Sequence, residues 1–76
     1  VYGEAAAAGL PVVDLGCGIG WYLRILARRL PGLRGVGVDG FAENIDQARR
    51  RALAEGVGDR LTFVTGDLHD LPLEGG

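Results

Sequence analysis

The stretch Val12-Val13-Asp14-Leu15-Gly16-Cys17-Gly18-Ile19-Gly20 leaves this chain few ways to fold. A short apolar run enters a loop with glycine at every second position, and an amphipathic run follows from Trp21. That order predicts a strand, a tight turn and a helix. Glycine carries no Cβ and accepts positive φ, so such a backbone bends sharply and can come close to a ligand. The turn also delivers a ligand to a helix N-terminus, where unpaired N–H groups point outward. The stretch reads as a binding loop of the nucleotide type.

Spacing narrows the ligand. The dinucleotide fingerprint G-x-G-x-x-G puts its third glycine three places beyond the second. Here that place holds Trp21, whose indole would crowd the helix–strand contact and the pyrophosphate approach. A phosphate-binding P-loop is excluded as well, because no Gly-Lys-Ser/Thr follows and the chain contains no lysine. What remains is [D/E]-x-G-x-G-x-G after an apolar strand.

The rest of the chain alternates in kind. Gly3 to Gly9 contains four consecutive alanines and is expected to be the end of a helix closed by Gly9. Pro11 opens the first strand. A helix is predicted from Trp21 to Leu30, with Leu23, Leu26, Ala27 and Leu30 on one stripe and Arg24, Arg28 and Arg29 off it. Pro31-Gly32 stops that helix. Leu33 to Asp39 reads as a second strand, with Val36 and Val38 on one face and Gly35 and Gly37 on the other. A second helix, Ala42 to Glu55, directs Ile45, Ala48, Ala52 and Leu53 inward and leaves Arg49 to Arg51 solvated. Leu61 to Thr65 is the third strand, followed by Gly66-Asp67-Leu68.

Strand–helix–strand–helix–strand with short links implies an α/β, Rossmann-like parallel sheet with right-handed crossovers and strand order 3-2-1. Both helices then cover one face, and the other face has no cover within the chain. The composition is globular, 47% hydrophobic and 24% charged, yet 76 residues fall short of the usual domain of about 100–150. The chain begins at Val1 and has no methionine. Residues 1–76 are therefore expected to be the N-terminal part of one domain: residues 1–10 end a preceding helix, and 11–76 form a β-α-β-α-β unit. The expected partner is the C-terminal half of that same domain.

Charge and cysteine content remove several classes of function. A net charge of -2 and a pI near 5.1 leave no electrostatic footprint for nucleic acid. Cys17 is the sole cysteine, which rules out an internal disulfide or a multi-cysteine metal site. No apolar run approaches the roughly 18 residues of a membrane span. A cytoplasmic location is expected.

In a parallel sheet, ligands sit outside the C-terminal strand ends. Three features fall there: the glycine loop, Asp39 after strand two, and Asp67 after strand three. A ribose needs an acceptor pair for its hydroxyls, and a carboxylate about 20 residues past the glycine loop supplies one, which is the place of Asp39. An exocyclic adenine amine needs one acceptor, for which Asp67 is the candidate. Cys17 reads as a small packed residue, Trp21 and Tyr22 as packing, and His69 as a solvated loop histidine.

From Val12 to Leu73 the chain resembles the class I S-adenosylmethionine-dependent methyltransferases, most of all small-molecule enzymes with V-D-L-G-C-G-x-G, V-D-x-S and G-D-x-x-x-L-P. The resemblance implies S-adenosyl-L-methionine as cofactor and a small-molecule methyl acceptor. Asp14 and the loop Gly16, Cys17, Gly18 and Gly20 would hold the methionine portion. Asp39, with Gly40 beside it, would take the ribose hydroxyls, Asp67 the adenine amine, and the Leu68 N–H a ring nitrogen. Gly40-Phe41 departs from the family, which often has a capping Ser or Asp there; the cap must come from Gly40 or elsewhere, and Phe41 is placed near the adenine. Catalytic residues are not identified in this segment, and no metal is implied. Two other readings stand beside this one: a nicotinamide-dependent oxidoreductase, which Trp21 disfavours, and a non-catalytic binding or partner module.

Overall fold

The computed structural model describes residues 2–66. Helix α1 (Tyr2–Ala8) leads into strand β1 (Pro11–Leu15). Helix α2 (Trp21–Arg29), strand β2 (Arg34–Asp39), helix α3 (Ala42–Ala54) and strand β3 (Leu61–Thr65) follow. Gly9 closes α1 at φ 72°. The strands form one parallel sheet with β2 in the centre, in the predicted order. Register places Leu15 beside Val38 and Val38 beside Val64, so these three share one face.

The opposite face carries the core. Leu23 and Ala27 of α2 meet Ile45, Ala48 and Ala52 of α3 over Leu61 and Phe63 of β3. Removing a leucine- or phenylalanine-sized side chain from water contributes about 1.5–3 kcal/mol, and this cluster gathers several. The glycines of β2 make the approach possible. A Cβ on Gly35 would lie 3.0 Å from both Leu23 and Leu61, and one on Gly37 would lie 2.8 Å from the Cys17 sulfur and from Phe63. Bare backbone in the central strand thus lets the helical layer settle onto the sheet. The resulting slab spans 32 × 30 × 15 Å.

Two side chains depart from the amphipathic reading. Leu53, expected inward, is 72% exposed, and the core takes only Ile45, Ala48 and Ala52 from α3. Those three follow a spacing of three and four, and Leu53 lies one residue, about 100°, beyond Ala52. Arg24, expected on the solvent side of α2, is only 5% exposed and pairs with Glu55. A guanidinium can enter the interior when its donors all find acceptors, which periodicity of apolar residues does not register.

Arginine also finishes two elements. Arg60 donates to the carbonyls of Ala27 (2.8 Å), Leu30 (3.1 Å) and Leu33 (3.0 Å), satisfying acceptors at the end of α2. Arg49 donates to the Phe63 carbonyl at 2.6 Å, on the edge strand. On the sheet face away from α2 and α3, Val13, Leu15 and Val64 remain exposed. No helix among the described residues is long and apolar enough to cross a membrane.

Candidate functional site

The C-terminal ends of β1 and β2 meet through the glycine loop. The Val38 carbonyl accepts from the N–H groups of both Gly16 (2.7 Å) and Cys17 (2.9 Å), and Gly20 N–H closes onto the Cys17 carbonyl at 3.0 Å. Gly16, Gly18 and Gly20 have φ of 75°, 59° and 74°. Their three roles are not the same. A Cβ on Gly16 or Gly18 would meet nothing within 4 Å, so both present bare backbone to open space. A Cβ on Gly20 would strike Phe63 at 2.6 Å and lie 3.2 Å from Ala48. Gly20 is buried, sits against the core and starts α2. Gly16 and Gly18 form the open side of a cradle, and Gly20 its floor.

Asp39 stands at the centre of the site and is 8% exposed. Its Oδ2 accepts from Gly18 N–H at 2.9 Å; its Oδ1 accepts from Phe41 N–H at 2.8 Å and from Asn44 Nδ2 at 3.3 Å. The Phe41 N–H, with help from Gly18 and Asn44, holds the carboxyl below its ordinary value of 3.8 against the opposing effect of burial. The start of α3 is thereby explained. Phe41 occupies the N-cap without a side-chain bond, and the carboxylate two residues earlier supplies the acceptor and the negative charge that a helix N-terminus favours. The expected cap from Gly40 or elsewhere is Asp39 itself. Phe41 is 72% exposed beside it.

Asp14 lies on the same sheet face, paired in register with Gly37, and is half-buried. Among the described residues it has no hydrogen-bond donor, so its acceptor capacity is free. Cys17 turns its thiol toward Gly37 and the core. Burial first, then the carboxylates of Asp14 and Asp39, push that thiol from 9.0 up to about 11. Cys17 is a packed thiol whose Sγ also donates to the Gly18 carbonyl of the loop at 3.6 Å. Gly40 is exposed, with its nearest obstacle, the Gly66 carbonyl, 3.9 Å from a Cβ built there.

Gly66 N–H donates to the Asp39 carbonyl at 3.0 Å, which brings the exit of β3 beside Asp39. Asp67 and Leu68 lie outside the described residues. The structure therefore joins Asp14, Gly16, Gly18, Asp39 and Gly40 at one strand end, with Cys17 and Gly20 beneath them. Asn44 escaped the sequence reading. Its signal was a polar side chain at the third helical position, where side chains reach back over a helix start. Among the described residues, no group of three or more His, Cys, Asp or Glu could hold a metal.

This arrangement has relatives. The family described as "Methyltransferase domain" matches residues 12–76. The release factor glutamine methyltransferase of Chlorobaculum tepidum is 43% identical over 68 residues, covering 82% of this chain and 23% of that protein. A Geobacter sulfurreducens SAM-dependent methyltransferase, solved with S-adenosyl-L-homocysteine, superposes with a TM-score of 0.72 at 42% identity, over 83% of this chain and 26% of its own. An RNA methyltransferase of Salinibacter ruber, solved with the same molecule, gives 0.75 at 36% identity, over 80% and 39%. The chain thus spans less than half the length of each. Its sheet order, its glycine loop and its carboxylate at the end of β2 accord with these matches, and the chain belongs to the class I S-adenosylmethionine-dependent methyltransferase family.

Proposed function

We propose that residues 1–76 supply the cofactor-binding half of an S-adenosylmethionine-dependent methyltransferase, acting on a small molecule in the cytoplasm. The observation that carries this reading is the open side of the loop: Gly16 and Gly18 leave a cradle a Cβ would fill, flanked by two carboxylates. That donor set fits a ligand with a cationic end and a ribose. Asp14, with its lone pairs unclaimed, would hold the cationic methionine portion together with the loop backbone. Asp39 would take the ribose hydroxyls, with its remaining lone pairs or in exchange for Gly18 N–H, while Gly40 leaves room beside it. Asp67 and the Leu68 N–H would take the adenine edge, and the bond from Gly66 to Asp39 supports that placement.

When bound, S-adenosylmethionine supplies a methyl group activated by its sulfonium. The residues here bind and orient; they contain no assigned general base. Holding two reactants in line can supply several kcal/mol of the barrier, and that is the work this half is suited to. Of the three relatives named above, one is named for a release factor and one for RNA, so the small-molecule acceptor rests on the motif resemblance and on the acidic balance of the chain. The C-terminal half of the same domain would bring the acceptor.

Calorimetry on the whole domain that carries these residues, with S-adenosylhomocysteine against NAD, tests the reading. S-adenosylhomocysteine is expected to bind and NAD to bind far more weakly. Equal or tighter NAD binding would overturn it.

A further inference from the structure

We propose that Arg24 is a positioning residue for the glycine loop, set in place by Glu55. The proposal rests on the reading of that loop as the cofactor cradle. Arg24 is the one arginine of α2 that enters the interior, in a helix whose other buried side chains are Leu23 and Ala27. Packing alone would be served better by a hydrocarbon, since a buried guanidinium is costly unless its donors are satisfied. Two of its side-chain nitrogens reach acceptors, one on the loop and one on an acid. Nε donates to the Ile19 carbonyl at 3.3 Å, and the Arg24 backbone N–H donates to the Gly20 carbonyl at 2.9 Å. The second bond is the first helical bond of α2, which any residue at this position makes; the first belongs to the guanidinium alone and fixes the Ile19 carbonyl next to it.

Nη1 pairs with Glu55 Oε2. Glu55 is well fixed for this task, because it is the C-cap of α3, its own N–H is bound to the Arg51 carbonyl at 2.9 Å, and the N–H of the next residue, Gly56, is bound to the Leu53 carbonyl at 3.1 Å. Its second oxygen, Oε1, is buried without a partner. A carboxylate at a helix C-terminus gains nothing from the helix dipole, so its place here is explained by Arg24 and not by α3. It remains inside and aims the guanidinium, whose rigid fork transmits the aim to Nε. The Ile19–Gly20 peptide is then held as Gly20 takes its left-handed conformation and closes onto Cys17. Gly18, the open-facing member of the cradle, lies within that closed turn.

Arg24→Lys separates this role from simple support. Lysine keeps a cation for Glu55, but a methylene replaces Nε, and the Ile19 carbonyl loses its donor. The expected result on the whole domain is a melting temperature close to wild type, S-adenosylhomocysteine binding about tenfold weaker, and faster amide exchange at Gly18 and Gly20 without ligand. Wild-type affinity and unchanged exchange would overturn the proposal. If the wild type itself does not bind S-adenosylhomocysteine, the cofactor reading fails, and amide exchange in the ligand-free protein alone decides for or against Arg24. Should Arg24→Lys melt far below wild type, Glu55→Gln takes over, keeping shape and an oxygen acceptor. It is expected to weaken binding by about three- to fivefold, and unchanged affinity and exchange would overturn the proposal.

Discussion

Gly18 N–H and Asp39 Oδ2 lie 2.9 Å apart, joining the loop after β1 to the end of β2 before any ligand arrives. The carboxylate is thus both a part of the free fold and the proposed ribose acceptor. Hydrogen bonds to a charged group contribute about 1.5–3 kcal/mol. Asp39→Ala is expected to weaken S-adenosylhomocysteine binding by roughly 10- to 100-fold, with Asp39→Asn between. A dissociation constant within about twofold of wild type would remove Asp39 from the site.

The same bonds predict an acid limb. Asp39's carboxyl is held below 3.8 in the folded chain, so its contribution is present above that value and is lost as pH falls through the lower folded one. Melting curves taken between about pH 6 and pH 2 should show this loss in the wild type and less of it in Asp39→Asn.

Gly18 and Gly20 should answer mutation in opposite ways. Gly18→Val puts a branched Cβ into the open side of the cradle at φ 59° and is expected to abolish binding while the domain stays folded. Gly20→Ala drives a Cβ into Phe63 and should unfold the domain or lower its melting point sharply. Paired melting and binding measurements check this. Native affinity in folded Gly18→Val would make the loop only a turn.

The contrast also marks what the sequence made legible. Alternating glycines between an apolar run and an amphipathic one announced the strand, turn and helix, and the acids placed the site at the strand ends. Sequence could not divide the glycines into cradle and floor, because that division is made by Phe63, a residue distant along the chain. Arg24 was misread for a related reason. Its burial depends on Glu55 of another helix, and no local period records a partner across the fold. Leu53 failed differently: leucine content says that a helix is amphipathic, but this side chain rests on Gly58 at the surface and stays exposed.

Cys17 should be a poor nucleophile. With its thiol pushed up to about 11, the thiolate is scarce at neutral pH. Iodoacetamide is expected to label the folded domain far more slowly than the denatured chain. Equal rates would show an open thiol. Because the folded value lies above 9.0, the contribution of this group to stability is full below that pH and is lost as pH rises through about 11.

Residues 1–76 in isolation should not behave as a dispersed monomer. Val13 (57% exposed), Leu15 (42%) and Val64 (41%) share the face that α2 and α3 leave uncovered, and contiguous apolar surface draws other molecules. Sedimentation is expected to show self-association or partial unfolding, with no methyl transfer. A cooperatively melting monomer with transferase activity would contradict both this expectation and the proposed need for a second half.

Phe63 gives the site a schedule. The glycine loop rests on that ring through Gly20 and Gly37, yet Phe63 belongs to β3, the last strand among the described residues. Chains emerge from synthesis N-terminus first, and contacts that span long separations close late. A nascent chain that has exposed Val12 to Gly20 therefore carries the binding motif without the surface beneath it. The bonds to Val38 and Asp39 of β2 can shape the loop first, but the ring beneath Gly20 comes only with β3, so the motif is made before the support that Gly20 rests on.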